Sequence, residues 1–236
     1  MSFFDRLFYK IPYKKNRRIL KELNWASIFN SAITDSAWLK NKSFNPGRWA
    51  AGYPMLYILY RIYNEVKPKN ILELGLGEST KMAYQYKKAN EGILLTIIEQ
   101  DKNWLNFFSN QVYDISAEAI LLPIEQIAIE GHKVNVYKDL IATLPKALFN
   151  LIIIDGPWGS KHYSRHQIID IIEHNFIADD FILILDDYER TGERETAKHI
   201  RKTLSQKEIP FHEKVYSGAK KTLLICSTKY SFLTSL

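Results

Sequence analysis

The sequence predicts an α/β fold: a doubly wound, mostly parallel sheet with helices on both faces, preceded by an N-terminal helical extension. Short apolar runs recur without polar alternation, as strands buried on both faces require. Helical stretches separate them. The runs end at acids, and in such sheets ligands bind at the carboxyl ends of the strands.

The elements follow in order. Phe4, Leu7, Phe8 and Ile11 have the spacing of an amphipathic helix, which Pro12 is expected to interrupt. A second helix is expected over residues 17–30, and Asn45-Pro46-Gly47 reads as a turn. A helix from about Pro54 to Val66 begins at a proline suited to a first turn. Asn70 to Leu74 is then a buried strand, Ser79 to Lys88 a helix broken by Gly92, Ile93 to Glu99 a strand, and Asn103 to Val112 a helix. Two segments compete for the third core strand: Glu118 to Ile124, and Val134 to Tyr137. If the first takes that place, residues 127–138 form a hairpin around Gly131-His132. Phe149 to Asp155 and Phe181 to Leu185 are further buried strands, with a helix over Arg165 to His174 between them and another over 192–206. Phe211 to Tyr216 and Thr222 to Ser227, joined by Ser217-Gly218-Ala219-Lys220, form a closing antiparallel pair. Residues 1–53 are the extension and 54–236 the main domain.

Composition bounds the function classes. The chain is 46% hydrophobic and 25% charged, too apolar for a disordered protein. Its single cysteine, Cys226, sits in a strand-like run and allows no internal disulfide. No apolar run is long enough for a membrane span and no secretory signal is recognisable, so a cytoplasmic protein is expected. Of the net charge of +6, five charges lie in the first 24 residues, where Arg6, Lys10, Lys14, Lys15, Arg17, Arg18 and Lys21 face only Asp5 and Glu22. The nearly neutral remainder implies no nucleic-acid partner. Residues 1–18 are either a helix docked on the domain or a peripheral anchor on anionic lipid or a partner.

Four strand ends carry Glu73, Glu99, Asp155 and Asp186. Several acids at neighbouring strand tips point to a polar ligand. After the first strand, Gly75 and Gly77 permit a tight turn and close approach of a ligand to the backbone. The helix start beyond them offers free N–H groups to an anion, with Ser79 or Thr80 adding a hydroxyl. A dinucleotide site would place a third glycine where Thr80 stands, and would not set a carboxylate such as Glu73 beside phosphates. Glu73 suits a cationic ligand, and Glu99 can accept both hydroxyls of a ribose.

The segments ILELGLGEST, TIIEQD, LIIIDGPWG and LILDDYERTGE resemble those of class I S-adenosylmethionine-dependent methyltransferases, in particular a bacterial O-methyltransferase-like group. The resemblance covers residues 54–226. It implies a Rossmann-like, seven-stranded sheet with an antiparallel last strand. It also implies that Glu73, Gly75, Gly77, Ser79 and Thr80 hold the methionine end of S-adenosylmethionine, Glu99 and Gln100 the ribose, and the region of Ile124 the adenine, with Asp155 closing the site. By similarity to catechol-type enzymes, Asp155, Asp186 and Asp187 are candidate ligands for Mg²⁺, which favours oxygen donors. This sequence has Asp187 where that pattern has asparagine, making the site more negative and leaving the metal open. Solvation of the acids, or their pairing with Arg190, is the alternative.

Methyl transfer to a hydroxyl needs the acceptor held in line and its proton removed. Asp155, His162 and Lys161 are the candidates for that proton, His162 because imidazole titrates near neutrality and Lys161 only with a lowered pKa. Trp158, Tyr163 and Arg165 are candidate acceptor contacts, and Arg190 and Glu193 either match the family segment or form an ion pair. Trp25, Trp38 and Trp49 are expected to pack or to cover the site. The expected acceptor is a small molecule or saccharide. Rival readings are an aminopropyl transferase, a nicotinamide-dependent enzyme, and a non-catalytic module docking through its basic N-terminus.

Overall fold

The computed structural model describes residues 3–47 and 50–236, with side chains outside 3–15 and 111. Trp49, and the side chains of Phe4, Leu7, Phe8 and Ile11 that carried the amphipathic pattern, lie outside the described set.

The first helix, α1, runs from Phe3 to Ile33 without a break. The expected interruption at Pro12 and separate second helix are therefore replaced by one element. Proline's fixed φ is itself helical, and what it removes is one N–H donor. The later part of α1 packs on the domain: Phe29 and Ile33 are buried, and Glu22 accepts the N–H groups of Tyr53 and Ala219. Trp25 packs between Tyr57 and Tyr216, and Trp38 on Tyr60. Both are packing residues.

Helix α2 (Tyr53–Arg61) continues as a π-helical turn over Ile62–Val66. Then come β1 (Asn70–Leu74), α3 (Glu78–Ala89), β2 (Leu94–Glu99), α4 (Lys102–Gln111) and β3 (Ala119–Leu121). The segment β4 (Ile124–Ile129) and β5 (His132–Tyr137) pair only with each other, so the third core strand is the earlier candidate and the hairpin is separate. A short α5 (Leu140–Thr143), β6 (Phe149–Ile154), α6 (Ile168–Glu173), β7 (Ile177–Leu185), α7 (Thr191–Gln206), β8 (Phe211–Ser217) and β9 (Lys221–Ser227) complete the α/β array, and a 3₁₀ segment covers Thr228–Ser235. Helix α6 starts at Ile168 rather than at the expected Arg165. Tyr163 and Arg165 take φ of 47° and 61°, which a right-handed helix excludes.

The seven-stranded sheet has the order β3-β2-β1-β6-β7-β9-β8. All neighbours are parallel except those of β9, which runs antiparallel to both β7 and β8. Alternate residues of each strand feed opposite cores. Ile71, Ile97, Ile153, Ile182 and Ile184 pack with Met55, Ile58 and Met82 on one face. Leu72, Leu74, Ile152, Ile154 and Leu183 pack with Ile168, Ile172 and Ile200 on the other. Cys226 is buried in β9. The chain leaves β1 toward β2 but places β6 on the opposite side, so the strand order reverses between β1 and β6. A crevice opens at the carboxyl ends of strands at such a point. Among the described residues, no helix is long and apolar enough to cross a membrane.

Candidate active site

A cavity of about 940 Å³ occupies this crevice, within the range of small-molecule sites. One wall is the turn from β1 to α3. Gly75 has φ of 95°, and a Cβ there would fall 2.9 Å from the Gly156 nitrogen and 3.0 Å from the Asp155 carbonyl carbon. The two loops therefore touch backbone to backbone, and glycine is required for that approach. Gly77 is different. Its φ is extended, and a Cβ would meet nothing within 4 Å, so its open side faces free space along the cavity.

Glu73 is fully buried and lies beneath the start of α3 instead of lining the cavity. On β1 it shares the face of Ile71, which turns its carboxyl toward α3. The Ser79 hydroxyl donates to its Oε1, while Oε2 has no partner. Burial pushes the Glu73 carboxyl up to about 8, against the hydrogen bond from Ser79 and the nearby Thr80 hydroxyl, with the Asp155 and Glu99 carboxylates adding to the rise. Thr80 Oγ1 accepts the Gly77 N–H at 3.0 Å. Ser79 and Thr80 thus tie the loop to the helix, and neither lines the cavity.

Glu99, at the tip of β2, is also buried. Its Oε1 accepts the N–H groups of Gln100 and Asp101, both at 2.7 Å, and its Oε2 accepts that of Leu76 at 3.0 Å. Burial raises its pKa despite these three donors. Glu99 therefore fastens the glycine loop to the next strand end. Gln100, Asp101 and Trp104 reach the cavity from this side. Gln100 Oε1 is buried without a partner, and Trp104 donates its indole N–H to the Leu76 carbonyl at 2.8 Å. Ile124 begins the hairpin and is not among the residues lining the cavity.

The opposite wall carries the acids that end β6 and β7. Asp155, Asp186 and Asp187 each bring a carboxylate oxygen within 4.8 Å of the others. Two buried cations are set among them. Arg165 NH2 lies 2.8 Å from Asp155 Oδ1 and 2.9 Å from Asp187 Oδ2, and its NH1 donates to the Asp186 carbonyl at 2.9 Å. Lys220, from the β8–β9 turn, places Nζ 2.5 Å from Asp186 Oδ2 and 2.9 Å from Asp187 Oδ1. Arg190 adds a contact of 3.0 Å to Asp187, not to Asp155 or Asp186. Glu193 is buried 3.9 Å from the Arg165 Nε.

Asp155 and Asp187 both line the cavity, and Asp155 is the more open of the two, with 19% of its side chain exposed against 4%. Burial pushes it up to about 7, an effect the Arg165 guanidinium lessens and the Asp186 carboxylate reinforces. Burial alone would also raise Asp187, but Arg165 and Lys220 outweigh it and hold that carboxyl below its ordinary value. Arg165 and Lys220 are both held above theirs, because the surrounding carboxylates outweigh a burial that acts the other way.

The loop after Asp155 forms the outer rim. Trp158 is 62% exposed and lines the cavity with Lys161. The hairpin braces this loop: the Asn135 N–H donates to Ser160 Oγ, and its side-chain amide donates to the Trp158 carbonyl. His162 lies on the hairpin side, stacked on His132 with ring centroids 4.0 Å apart and its Nδ1 3.1 Å from Glu195, and it does not line the cavity. Tyr163 likewise turns to Glu130.

Gln100, Asp155, Lys161 and Asp187 are thus brought to the cavity with Gly75 and Gly77, while Glu73, Ser79, Thr80 and Glu99 stand behind the loops they fasten. Two residues were not singled out from the sequence as part of this site. Trp104 carries a weak signal, an aromatic in the first turn of the helix that follows an acidic strand tip. Lys220 carries none, since it reaches the acids from a turn 34 residues beyond Asp186.

No family model matches the chain, and no curated protein matches its sequence. Solved structures do match its fold. The O-methyltransferase TomG of Streptomyces achromogenes, involved in tomaymycin synthesis and solved with S-adenosylmethionine, is 13% identical over 91% of this chain and 98% of its own, with a TM-score of 0.56. A candidate caffeoyl-CoA O-methyltransferase from Staphylococcus aureus is 13% identical over 87% of this chain and all of its own, at 0.53. A candidate O-methyltransferase from Klebsiella pneumoniae is 16% identical over 87% and 98%, at 0.52. The chain has the Rossmann-like fold of these proteins.

Proposed function

We propose that the chain is an S-adenosylmethionine-dependent O-methyltransferase of a small-molecule or saccharide hydroxyl, with residues 54–236 as its catalytic unit. The observation that carries this is the single crevice in which the glycine loop, the β2 tip and Asp155 meet. The donor's chemistry fits the residues present. A buried acceptor oxygen at the cavity wall, Gln100 Oε1, lacks a partner, and a ligand rich in donors suits it. The fold supports the same reading, because TomG was solved with this donor.

The backbone around Gly77 and the start of α3 would hold the donor's carboxylate, Gln100 and Asp101 its ribose, and Leu76 and Trp104 its base. When bound, the donor supplies an electrophilic methyl group on sulfur. The chain's own part is to hold an acceptor hydroxyl and take its proton. Asp155 is placed for the second task, with Arg165 fixing one of its oxygens. Trp158 offers a ring face and Lys161 a cation to the acceptor.

Calorimetry tests the donor site. S-adenosylmethionine and S-adenosylhomocysteine should each bind one per chain and NAD should not. Gly77→Leu should keep the melting temperature while weakening donor binding roughly tenfold or more, because the new side chain enters open space. Absence of uptake of either nucleoside by folded protein would refute the proposal.

Ile19, Leu20 and Leu23 of α1 are exposed beside Arg17, Arg18 and Lys21, which supports a peripheral membrane contact continuing from residues 1–18. Cosedimentation with vesicles of anionic lipid, lost on removing residues 1–18, is the expected result. Equal sedimentation of both chains would place the contact elsewhere.

A further inference from the structure

The acids at the tips of β6 and β7 have the spacing of a cation site, yet their oxygens are already taken. Asp186 Oδ1 accepts the Thr222 hydroxyl at 3.1 Å and its Oδ2 faces Lys220. Asp187 Oδ1 faces Lys220, and its Oδ2 faces Arg165 and Arg190. Asp155 Oδ1 faces Arg165. Of the six carboxylate oxygens, Asp155 Oδ2 alone carries no such contact among the described residues. Magnesium demands near-octahedral oxygen coordination, and one free carboxylate oxygen does not supply it.

Charge leads to the same place. Three carboxylates already meet Arg165, Lys220 and the more exposed Arg190. Adding a divalent ion would leave an excess of positive charge at low exposure, a costly arrangement. Lys220 is also fixed in place, with 10% of its side chain exposed and Nζ donating to Asp186 Oδ2 and, at 3.2 Å, to the Ala50 carbonyl. An ammonium held by two hydrogen bonds and an ion contact to Asp187 is a compact resident cation.

We infer that the Lys220 ammonium takes the place a divalent cation would hold among Asp155, Asp186 and Asp187, so that this chain carries out its reaction without a metal ion. Lys220 acts as a positioning residue: it holds Asp186 and Asp187 together and leaves Asp155 Oδ2 for the acceptor. The consequence for methyl transfer rests on the proposed function, whereas the exclusion of a cation does not.

The test therefore needs neither donor nor acceptor. The full chain is titrated with Mn²⁺, bound metal being read by electron paramagnetic resonance, and its melting temperature is followed with and without Ca²⁺. The unaltered protein and Lys220→Arg should bind no stoichiometric ion and show no thermal shift. Lys220→Ala should gain one Mn²⁺, roughly tenfold or more tighter than the unaltered protein, and melt higher with Ca²⁺. If Lys220→Ala does not fold in either condition, Lys220→Gln, which keeps most of the side-chain length, is compared in the same way. Stoichiometric Mn²⁺ in the unaltered protein, lost in Asp186→Asn, overturns the inference. So does a folded Lys220 variant that remains indifferent to both ions.

Discussion

Arg165→Met should lower the unfolding free energy by about 3–5 kcal/mol at pH 7, the loss expected when one partner of a buried ion network is removed. Arg165 is only 5% exposed and faces Asp155, Asp187 and Glu193 together. Methionine fills much of its volume but leaves those carboxylates short of a cation in a place that water barely reaches. In a chain of this length the melting temperature should fall by roughly 10 °C. Exposed pairs such as Arg201–Glu213 set the contrast, since breaking one should change stability by less than ~1 kcal/mol. The pH dependence has a definite sign. Without Arg165 the Asp155 and Glu193 carboxyls shift further above their unfolded values and the lowering of Asp187 is lessened, so the variant binds more protons folded than the unaltered protein does. Its stability relative to that protein is then lost as pH rises, and the gap narrows toward pH 5. Chemical denaturation at pH 5 and 7 measures both quantities. A loss within ~1 kcal/mol at pH 7 would show that Arg165 does not hold the network together.

The network also marks the boundary of what the sequence reveals. Apolar runs such as Leu151 to Ile154 specify doubly covered parallel strands through local composition alone, so the sheet and its acidic tips are legible. The competition for the third strand was not resolvable from pattern. Ala119–Leu121 pairs with β2, whereas Val134–Tyr137, the more β-branched run, closes the hairpin. Depth at the tips was not legible either. Glu73 and Asp155 both belong to strand ends, but Glu73 points under α3 while Asp155 follows its strand and reaches the cavity. Glu99 is where a ribose acceptor was expected, yet its oxygens meet three loop N–H groups that only the folded turn presents. Arg165 lies in a stretch with helical pattern, and its left-handed backbone is set by a tertiary demand for a cation among the acids. His162 has the right chemistry for a base, but its ring is committed to His132 and Glu195. Long-range partners of this kind leave no periodic trace.

Asp155→Asn should reduce methyl transfer by about 10²–10⁴-fold, the usual contribution of a positioned general base, while donor affinity stays near that of the unaltered protein. Asparagine keeps the shape of the side chain but cannot accept a proton from the acceptor. Among the carboxyls of the acid corner, Asp155 is the one with an oxygen left over at the cavity. Its titration near neutrality makes the assignment testable by rate. A base works only when ionised, so kcat/KM should rise with pH through a midpoint of about 7 and level at higher pH, and that rise should be absent from whatever activity Asp155→Asn retains. The positive charge of a bound sulfonium would favour the carboxylate and draw the midpoint lower. Release of S-adenosylhomocysteine across a panel of phenolic and saccharide hydroxyls provides the measurement. Lys161→Met separates the remaining candidate, because loss of a cation at the rim should weaken acceptor binding without removing the pH-dependent rise. If Asp155→Asn kept its rate within about threefold and retained the same profile, the proton would have to leave by another group, and Asp155 would be a structural partner of Arg165 alone.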